Sequence, residues 1–294
     1  MKVVVSGASG LIGSALVQAL QESGHDCGRL IRHAPRNPGE LEWRPERGLA
    51  EPKTLEGFDA VVHLAGESVA GGRWTAERRH RIRSSRIPAT LRLVESLSTI
   101  ERPPRVFVCA SAVGYYGDRG DELLDEDSSA GSGFLASVCR DWEAAAATAA
   151  TVCERVVILR FGVVLSAAGG ALPRMLMPFR LGVGGRLGSG RQYFPWIHLE
   201  DAVAAILHLL ARGEGPVNLT APEPVTNAEL TRSLGSTLRK PALFPVPRPA
   251  LLVAFGAMAR ETLLASARVV PARLLSGGFT YRHPTLDSAL RHEL

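Results

Sequence analysis

Val3-Val4-Val5-Ser6-Gly7-Ala8-Ser9-Gly10-Leu11-Ile12-Gly13 decides the fold of this chain. Three valines in a row read as a buried strand. Leu11, Ile12, Ala15, Leu16, Val17 and Leu20 then recur at helical spacing. A strand that turns at once into a helix gathers free backbone N–H groups and the positive end of the helix dipole at one point, which suits a pyrophosphate. Gly7 permits the turn, Gly10 lets phosphate approach the backbone, and Gly13 lets helix and strand pack closely. Three glycines at this spacing carry little alone. Following a strand and opening a helix, they predict a dinucleotide-binding fold.

The 294 residues suffice for one large domain or two modest ones, and 46% hydrophobic with 21% charged residues describes a folded globular chain. No apolar run approaches the ~20 residues that span a bilayer. Met1-Lys2 leads directly into the first strand, so no signal peptide is expected. Cys27, Cys109, Cys139 and Cys153 lack zinc or redox spacing and read as reduced thiols, which places the protein in the cytoplasm. The net charge of +5 points to anionic ligands, and nucleotide phosphates satisfy it as well as nucleic acid would.

The first helix is expected to end near Ser23-Gly24. A second strand, Cys27 to Ile31, ends at Arg32, about 20 residues beyond the glycine turn, where this fold examines the adenosine ribose. An acidic residue there would take the 2′-hydroxyl of NAD. Arg32 instead favours a 2′-phosphate, hence NADP, with NAD as the lesser alternative. A third strand is expected near Leu41-Trp43. Asp59 to His63 continues as a buried strand into Leu64-Ala65-Gly66, small residues that let a ribose lie against the backbone. The arginine-dense segment Arg73 to Arg92 reads as a solvated helix with Leu91, Val94 and Leu97 on its apolar face. It carries no aromatic stacking platform, so nucleic acid is not expected as a partner. Arg86 is its best candidate for a cofactor phosphate.

Arg105 to Ser111 and Arg155 to Phe161 are further buried strands, separated by an acidic loop (Asp118 to Asp127) and an alanine-rich helix, Ser137 to Thr151. Alternating strands and helices predict an α/β fold, a Rossmann-type doubly wound parallel sheet. Beyond it, Gly162 to Gly190 is rich in glycine and arginine, with Pro173 and Pro178. Phe194 to Asp201 leads into a helix through Leu210, and Val217 to Leu219 is a short strand. Thr226 with Glu229 makes a capping box for a helix Asn227 to Leu238. Leu251 to Leu264 reads as one apolar helical run, a core or subunit-contact helix.

Several segments occur in order: Gly7-x-x-Gly10-x-x-Gly13, His63-Leu64-Ala65-Gly66-Glu67, Ser111-x-x-x-Tyr115-x-Gly117, Arg160-x-Gly162-x-Val164-Leu165 and Trp196-Ile197-His198-x-x-Asp201. Together they resemble the extended short-chain dehydrogenase/reductase superfamily, the nucleotide-sugar epimerase and dehydratase group. Arg73-Trp74-Thr75, Ser85-Arg86, Trp142-Glu143, Pro271-x-Arg273-Leu274-Leu275 and Gly278-Phe279-x-Tyr281 narrow the similarity to a poorly characterised NADP-binding, epimerase-like subfamily. The resemblance spans nearly the whole chain. It implies a Rossmann domain over 1–165, with 194–212 packing back on it. It also implies a smaller C-terminal α+β substrate-side domain over 166–193 and 213–294. Cofactor contacts are implied at Ser9, Gly10, Leu11, Ile12, Arg32, Leu64, Ala65 and Arg86, beside Gly7, Gly13 and Gly66. A homodimer is a fold-level expectation.

Members of that superfamily take a hydroxyl proton with a tyrosine whose pKa is lowered by a lysine four residues on. No Tyr-x-x-x-Lys occurs in this chain. The expected slot holds Phe134 with Val138, or Leu135 with Cys139. Ser111 fits the superfamily's serine. Tyr115 and Tyr116 are the candidate replacements for the missing phenol. Arg160 supplies positive charge or merely ends its strand, and Glu143 is an acid/base or a helix-surface glutamate. Arg174, Arg180, Arg186 and Arg191 form an anion clamp or a basic loop. Arg186, Arg191 and His198 are the candidate substrate-binding residues, with a structural hydrogen bond the stronger reading for His198. No metal site is expected from spacing. The reading is an NADP(H)-dependent epimerase or oxidoreductase acting on a small, anionic, nucleotide-sugar-like substrate. The alternative is a non-catalytic NADPH-binding sensor.

Overall fold

A computed structural model describes residues 1–294. Its centre is an eight-stranded sheet built from β1 (Lys2–Ser6), β2 (Asp26–Ile31), β3 (Glu40–Arg44), β4 (Gly48–Leu49), β5 (Ala60–His63), β6 (Val106–Ala112), β7 (Arg155–Phe161) and β10 (Gly215–Leu219). Between the last two in sequence lie β8 (Val163–Ser166) and β9 (Trp196–His198), which pair with each other in a smaller sheet. The main sheet runs β10-β7-β6-β5-β1-β2-β3-β4. All its neighbours are parallel except β3 and β4. The chain first steps outward from β1 to β2 and β3, then returns to the other side at β5. That reversal leaves a crevice beyond the carboxyl ends of β1 and β5, where ligands of open α/β sheets bind.

The long helices are α1 (Leu11–Glu22), α2 (Ala76–Ser84), α3 (Ile87–Leu97), α4 (Phe134–Ala147), α5 (Leu172–Arg180), α6 (Leu199–Arg212), α7 (Asn227–Leu238), α8 (Arg248–Phe255) and α9 (Leu286–Glu293). None is long and apolar enough to cross a membrane. The major core joins the sheet to α1, α3, α4 and α6 through residues such as Val4, Leu16, Leu93, Phe107, Trp142, Leu159 and Ile206. A second cluster packs Leu172, Leu176 and Phe179 of α5 with Trp196, Leu230 and Leu234 of α7, and Leu286 and Leu290 of α9.

Three sequence expectations are corrected. The arginine-dense segment is two helices, α2 and α3, and Leu91 is exposed on the second while Val94 and Leu97 are buried. The run Leu251 to Leu264 is not one helix. Gly256 ends α8 at φ +59, and a separate π-type turn follows over Ala259–Leu263. The stretch Arg174 to Arg191, one reading of which is a basic loop, begins instead as helix α5, which runs to Arg180.

Candidate functional site

The glycine turn has the geometry that the sequence predicts. Gly7 takes φ +69, and a Cβ there would stand 3.0 Å from the backbone of Leu64 and Ala65. A Cβ on Gly13 would lie 2.1 Å from the Gly7 carbonyl oxygen, so helix and turn touch backbone to backbone. α1 begins after Gly10, whose conformation is extended and which caps with no side chain. The first N–H groups of α1 are therefore free for an anion. Ser9 and Gly10 are exposed at this end, and Leu11 and Ile12 are half-buried.

Strand register places the other cofactor candidates at the same level. Ser6 pairs with Leu30 on β2 and with His63 on β5, so Arg32 and Leu64-Ala65-Gly66 flank the turn. Arg32 is exposed there. Arg86 lies at the junction of α2 and α3, with its guanidinium 5.0 Å over the Trp142 ring and bonded to the Ile82 carbonyl at 3.0 Å. A Cβ on Gly66 would meet that guanidinium at 3.3 Å. Arg86 thus borders the crevice at the end of β5.

One buried residue organises this end and escaped the sequence reading. His63 is fully buried, and its Nδ1 lies 2.7 Å from Ser6 Oγ. Ser6 Oγ already accepts the N–H groups of Leu64 at 3.1 Å and Ala65 at 3.3 Å. The hydroxyl proton therefore goes to His63 Nδ1, which leaves the ring proton on Nε2. Burial lowers the His63 pKa to about 4.

At the carboxyl ends of β6, β7 and β10, Ser111, Arg160 and Asn218 stand in one register row. Glu143 of α4 reaches this row. Its Oε1 accepts Ser111 Oγ–H at 2.7 Å and Arg160 Nε–H at 2.9 Å, and its Oε2 accepts from the same guanidinium at 2.8 Å. The bidentate pair is nearly buried, with Arg160 4% and Glu143 10% exposed. Burial opposes the Arg160 charge, but the Glu143 hydrogen bonds and charge outweigh it and raise its pKa. Arg160 also lies 3.7 Å over the Tyr115 ring and donates to Tyr116 Oη at 2.9 Å. Glu143 is neither a surface residue nor unpaired.

The expected phenol is not where the sequence put it in one case. Tyr116 is fully buried. Its hydroxyl has Asn218 Oδ1 at 2.7 Å and the Asp125 carbonyl at 2.8 Å as acceptors. Burial raises its pKa to about 12. Its hydroxyl is thus tied into the fold between Asn218, Asp125 and Arg160. Tyr115 is half-buried beside Arg160. The slot of the missing tyrosine and lysine is apolar: Leu135 and Cys139 pack on the Gly114 turn, and burial pushes the Cys139 thiol up to about 12. Leu135, Cys139 and Glu143 succeed one another at i, i+4 and i+8, so Glu143 continues the face that the slot occupies.

His198 makes structural hydrogen bonds, the stronger of its two readings. It is 1% exposed. Its Nδ1 accepts the Glu200 N–H at 3.2 Å, capping α6, and its Nε2 faces Glu293 Oε1 at 2.9 Å. Both ring nitrogens are in use. Arg186 and Arg191 are exposed, as are Arg174 and Arg180. Arg186 lines an open basic cleft of about 820 Å³ with Arg232, Arg239 and Lys240, which Arg191 does not line. Arg174 is tied to the Ala70 carbonyl at 2.8 Å. The structure therefore does not gather these four arginines into one clamp.

A segment from the end of the chain closes the site. Met258 packs with Trp74, Ile82 and Val138. Glu261 Oε2 accepts the Leu135 N–H at 2.8 Å and so caps α4. The sequence carried no local signal of this contact.

Comparison with known proteins agrees with this geometry. A model of the NAD dependent epimerase/dehydratase family matches residues 3–220, and a model of a domain of unknown function, DUF1731, matches residues 246–293. The chain is 46% identical over 290 residues to an epimerase family protein of Mycobacterium bovis, covering 98% of this chain and 96% of that protein. It is 36% identical over 296 residues to human epimerase family protein SDR39U1, covering 99% of each. The crystal structure of human SDR39U1 (isoform 2) with NADPH superposes with a TM-score of 0.89 at 35% identity, over 100% of this chain and 99% of that one.

Proposed function

This chain belongs to the NAD dependent epimerase/dehydratase family, and on that premise we propose that it is an NADP(H)-dependent epimerase or oxidoreductase acting on a small anionic substrate of the nucleotide-sugar class. Support for the cofactor is the glycine turn with Arg32 level beside it, together with the NADPH found in the human relative. Gly7, Ser9, Gly10, Leu11, Ile12 and Gly13 would receive the pyrophosphate. Leu64, Ala65 and Gly66 would flank the ribose. Arg32, or Arg86 across the crevice, would meet phosphate. The cofactor, when bound, would supply a hydride as NADPH or accept one as NADP+.

The observation that carries the chemistry is the Ser111–Glu143–Arg160 chain of hydrogen bonds. Ser111 Oγ donates to Glu143, so its lone pairs remain free to accept a substrate hydroxyl. In the oxidising direction the substrate hydroxyl proton would pass to Ser111 Oγ while the serine proton passes to Glu143. The reverse steps return it. Arg160 holds the carboxylate in place by a bidentate bond. Tyr115, stacked on Arg160, lends its ring to the wall of the site.

Titration with NADPH and NADH tests the cofactor assignment. NADPH is expected to bind at least about tenfold tighter, and Arg32→Ala to erase most of that preference. Equal binding of the two by the parent chain would sink it. Nucleotide sugars are then followed by product stereochemistry, because epimerisation shows no net redox change. Ser111→Ala and Glu143→Gln should each lower kcat by about 10²-fold or more, with NADPH affinity unchanged. A second reading, a non-catalytic NADPH sensor, draws on the apolar slot at Leu135 and Cys139. It prevails if NADPH binds and no carbonyl or nucleotide-sugar substrate turns over.

A further inference from the structure

Away from the crevice, five side chains that can ligate a metal meet where α9 docks on the start of α6. His198 and Glu200 come from the end of β9 and the first turn of α6. His283 precedes α9, and His292 and Glu293 lie in its last turn. The ligand atoms of His198, His283 and His292 all stand within 4.8 Å of one another. Their burial grades from His198, sealed, through His283 at 12% to His292 at 50% exposed. The cluster is closed at its base and open at its mouth.

The Glu200 carboxylate bridges the two outer imidazoles, one ring nitrogen to each of its oxygens. His283 Nε2 lies 3.4 Å from Glu200 Oε2, and His292 Nε2 lies 3.4 Å from Glu200 Oε1. The first is a long hydrogen bond, and both are loose for a carboxylate–imidazole pair. Ligands about 2.05 Å from a tetrahedral ion stand about 3.3 to 3.4 Å apart. His198 plays another part. Its Nδ1 accepts the Glu200 N–H and its Nε2 is bonded to Glu293, so it holds the base of the cluster without being a ligand itself. Asp201 accepts the N–H groups of Arg282 at 2.7 Å and His283 at 3.0 Å, which fixes the approach of the His283 ring. Arg282, 3.5 Å from Glu200 and 70% exposed, is the one cation now facing the carboxylate and can swing into solvent.

We propose that His283 Nε2, His292 Nε2 and the Glu200 carboxylate bind a divalent transition-metal ion of the zinc class, with a water completing the shell. Two imidazoles and a carboxylate select such an ion over magnesium or calcium, which prefer all-oxygen shells. The ion would staple the last helix to the start of α6. None of the cofactor candidates takes part, so the site stands independently of the reaction assigned above. No spacing in the chain announces it, because Glu200 lies more than eighty residues before His283 and His292 and only the docking of α9 joins them.

The test uses the full chain, free of any tag and dialysed against a chelator, with zinc chloride titrated by calorimetry and cobalt(II) by visible absorption. One ion per chain is expected, with a visible cobalt spectrum that lacks a sulfur charge-transfer band. His283→Ala, His292→Ala and Glu200→Gln should each weaken binding by at least about tenfold, while His80→Ala, on exposed α2, should not. His292 is half-exposed, so its variant should keep the fold, with an unchanged circular dichroism spectrum as the check. Absence of one-to-one zinc binding would overturn the site. So would a thiolate band, magnesium binding as tightly as zinc, or undiminished affinity in His292→Ala and Glu200→Gln.

Discussion

At the scale of single residues, the decisive positions are buried polar ones whose neighbours dictate their protonation. His63 is the clearest. It stays neutral in the fold because burial disfavours the imidazolium, and its ordinary pKa of 6.5 falls to about 4. The unfolded chain therefore binds a proton that the folded chain refuses between those values. Stability is fully present above pH 6.5 and is lost as pH falls towards 4, by about 3 kcal/mol for this group. His198 shifts in the same direction, through burial and the nearby His283. Urea unfolding of the parent and of His63→Asn from pH 7.5 to 4 separates the two contributions. The parent's curve should fall more steeply, and the gap should close as pH drops. Parallel curves would refute the shift. Protonation at Nδ1 also breaks the Ser6 bond that positions Leu64 and Ala65, so NADPH affinity should weaken over the same range. Glu143 and Arg160 are a second case. Removing either alone leaves a buried charge, so Glu143→Ala or Arg160→Ala should cost about 3 to 5 kcal/mol, and the double variant less than the sum. An additive double variant, measured by chemical unfolding, would mean that the pair is not coupled.

At the scale of elements, local signals predict what local contacts hold. The box at α7 is present in both directions. Glu229 Oε2 accepts the Thr226 N–H at 2.6 Å, and Thr226 Oγ1 accepts the Glu229 N–H at 3.3 Å. Thr226→Ala should lower stability by about 1 kcal/mol, with Thr226→Ser close to the parent, as thermal melts would report. If Ser melts with Ala, the hydroxyl contributes nothing. The boundaries of α1, including its end at Ser23, follow likewise from a glycine turn and an apolar stripe that lie within a few residues. α4 does not follow. The sequence puts its start at Ser137, yet it begins at Phe134, because Gly133 takes φ +107 and the cap comes from Glu261, more than a hundred residues away. α5 carries prolines at 173 and 178 and reads as loop. The first of these is harmless in an opening turn, and the burial of Leu172, Leu176 and Phe179 against α7 and Trp196 secures the rest. The site divides in the same way. Its phosphate end is a contiguous motif, legible at once. Its chemical end is a row across three strands closed by a helix, and no spacing in the chain announces that Ser111, Glu143 and Arg160 meet.

At the scale of the whole molecule, the glycine turn, the His63 support and the Ser111–Glu143–Arg160 chain all rest on the core around the main sheet, while α5, α7 and α9 share a core of their own. The cofactor's grip should then be insensitive to the second core. Leu290 is fully buried within it, so Leu290→Ala should cost about 2 to 5 kcal/mol through lost contacts and a cavity. NADPH at a hundred times its Kd adds about 2.7 kcal/mol to a chain that binds it only when folded. In the parent that should raise Tm by about 5 °C or somewhat more. If the turn and its flanking strands suffice for the grip, Leu290→Ala melts at lower temperature but gains the same increment from NADPH. A vanished increment, with Kd raised more than about tenfold, would instead show that the second core must be intact for the dinucleotide to be held. The contact of Leu11 with the Gly169–Gly170 backbone, where a Cβ on Gly170 would come within 3.0 Å, is then the first place to look, because it joins the segment after β8 directly to the mouth of α1.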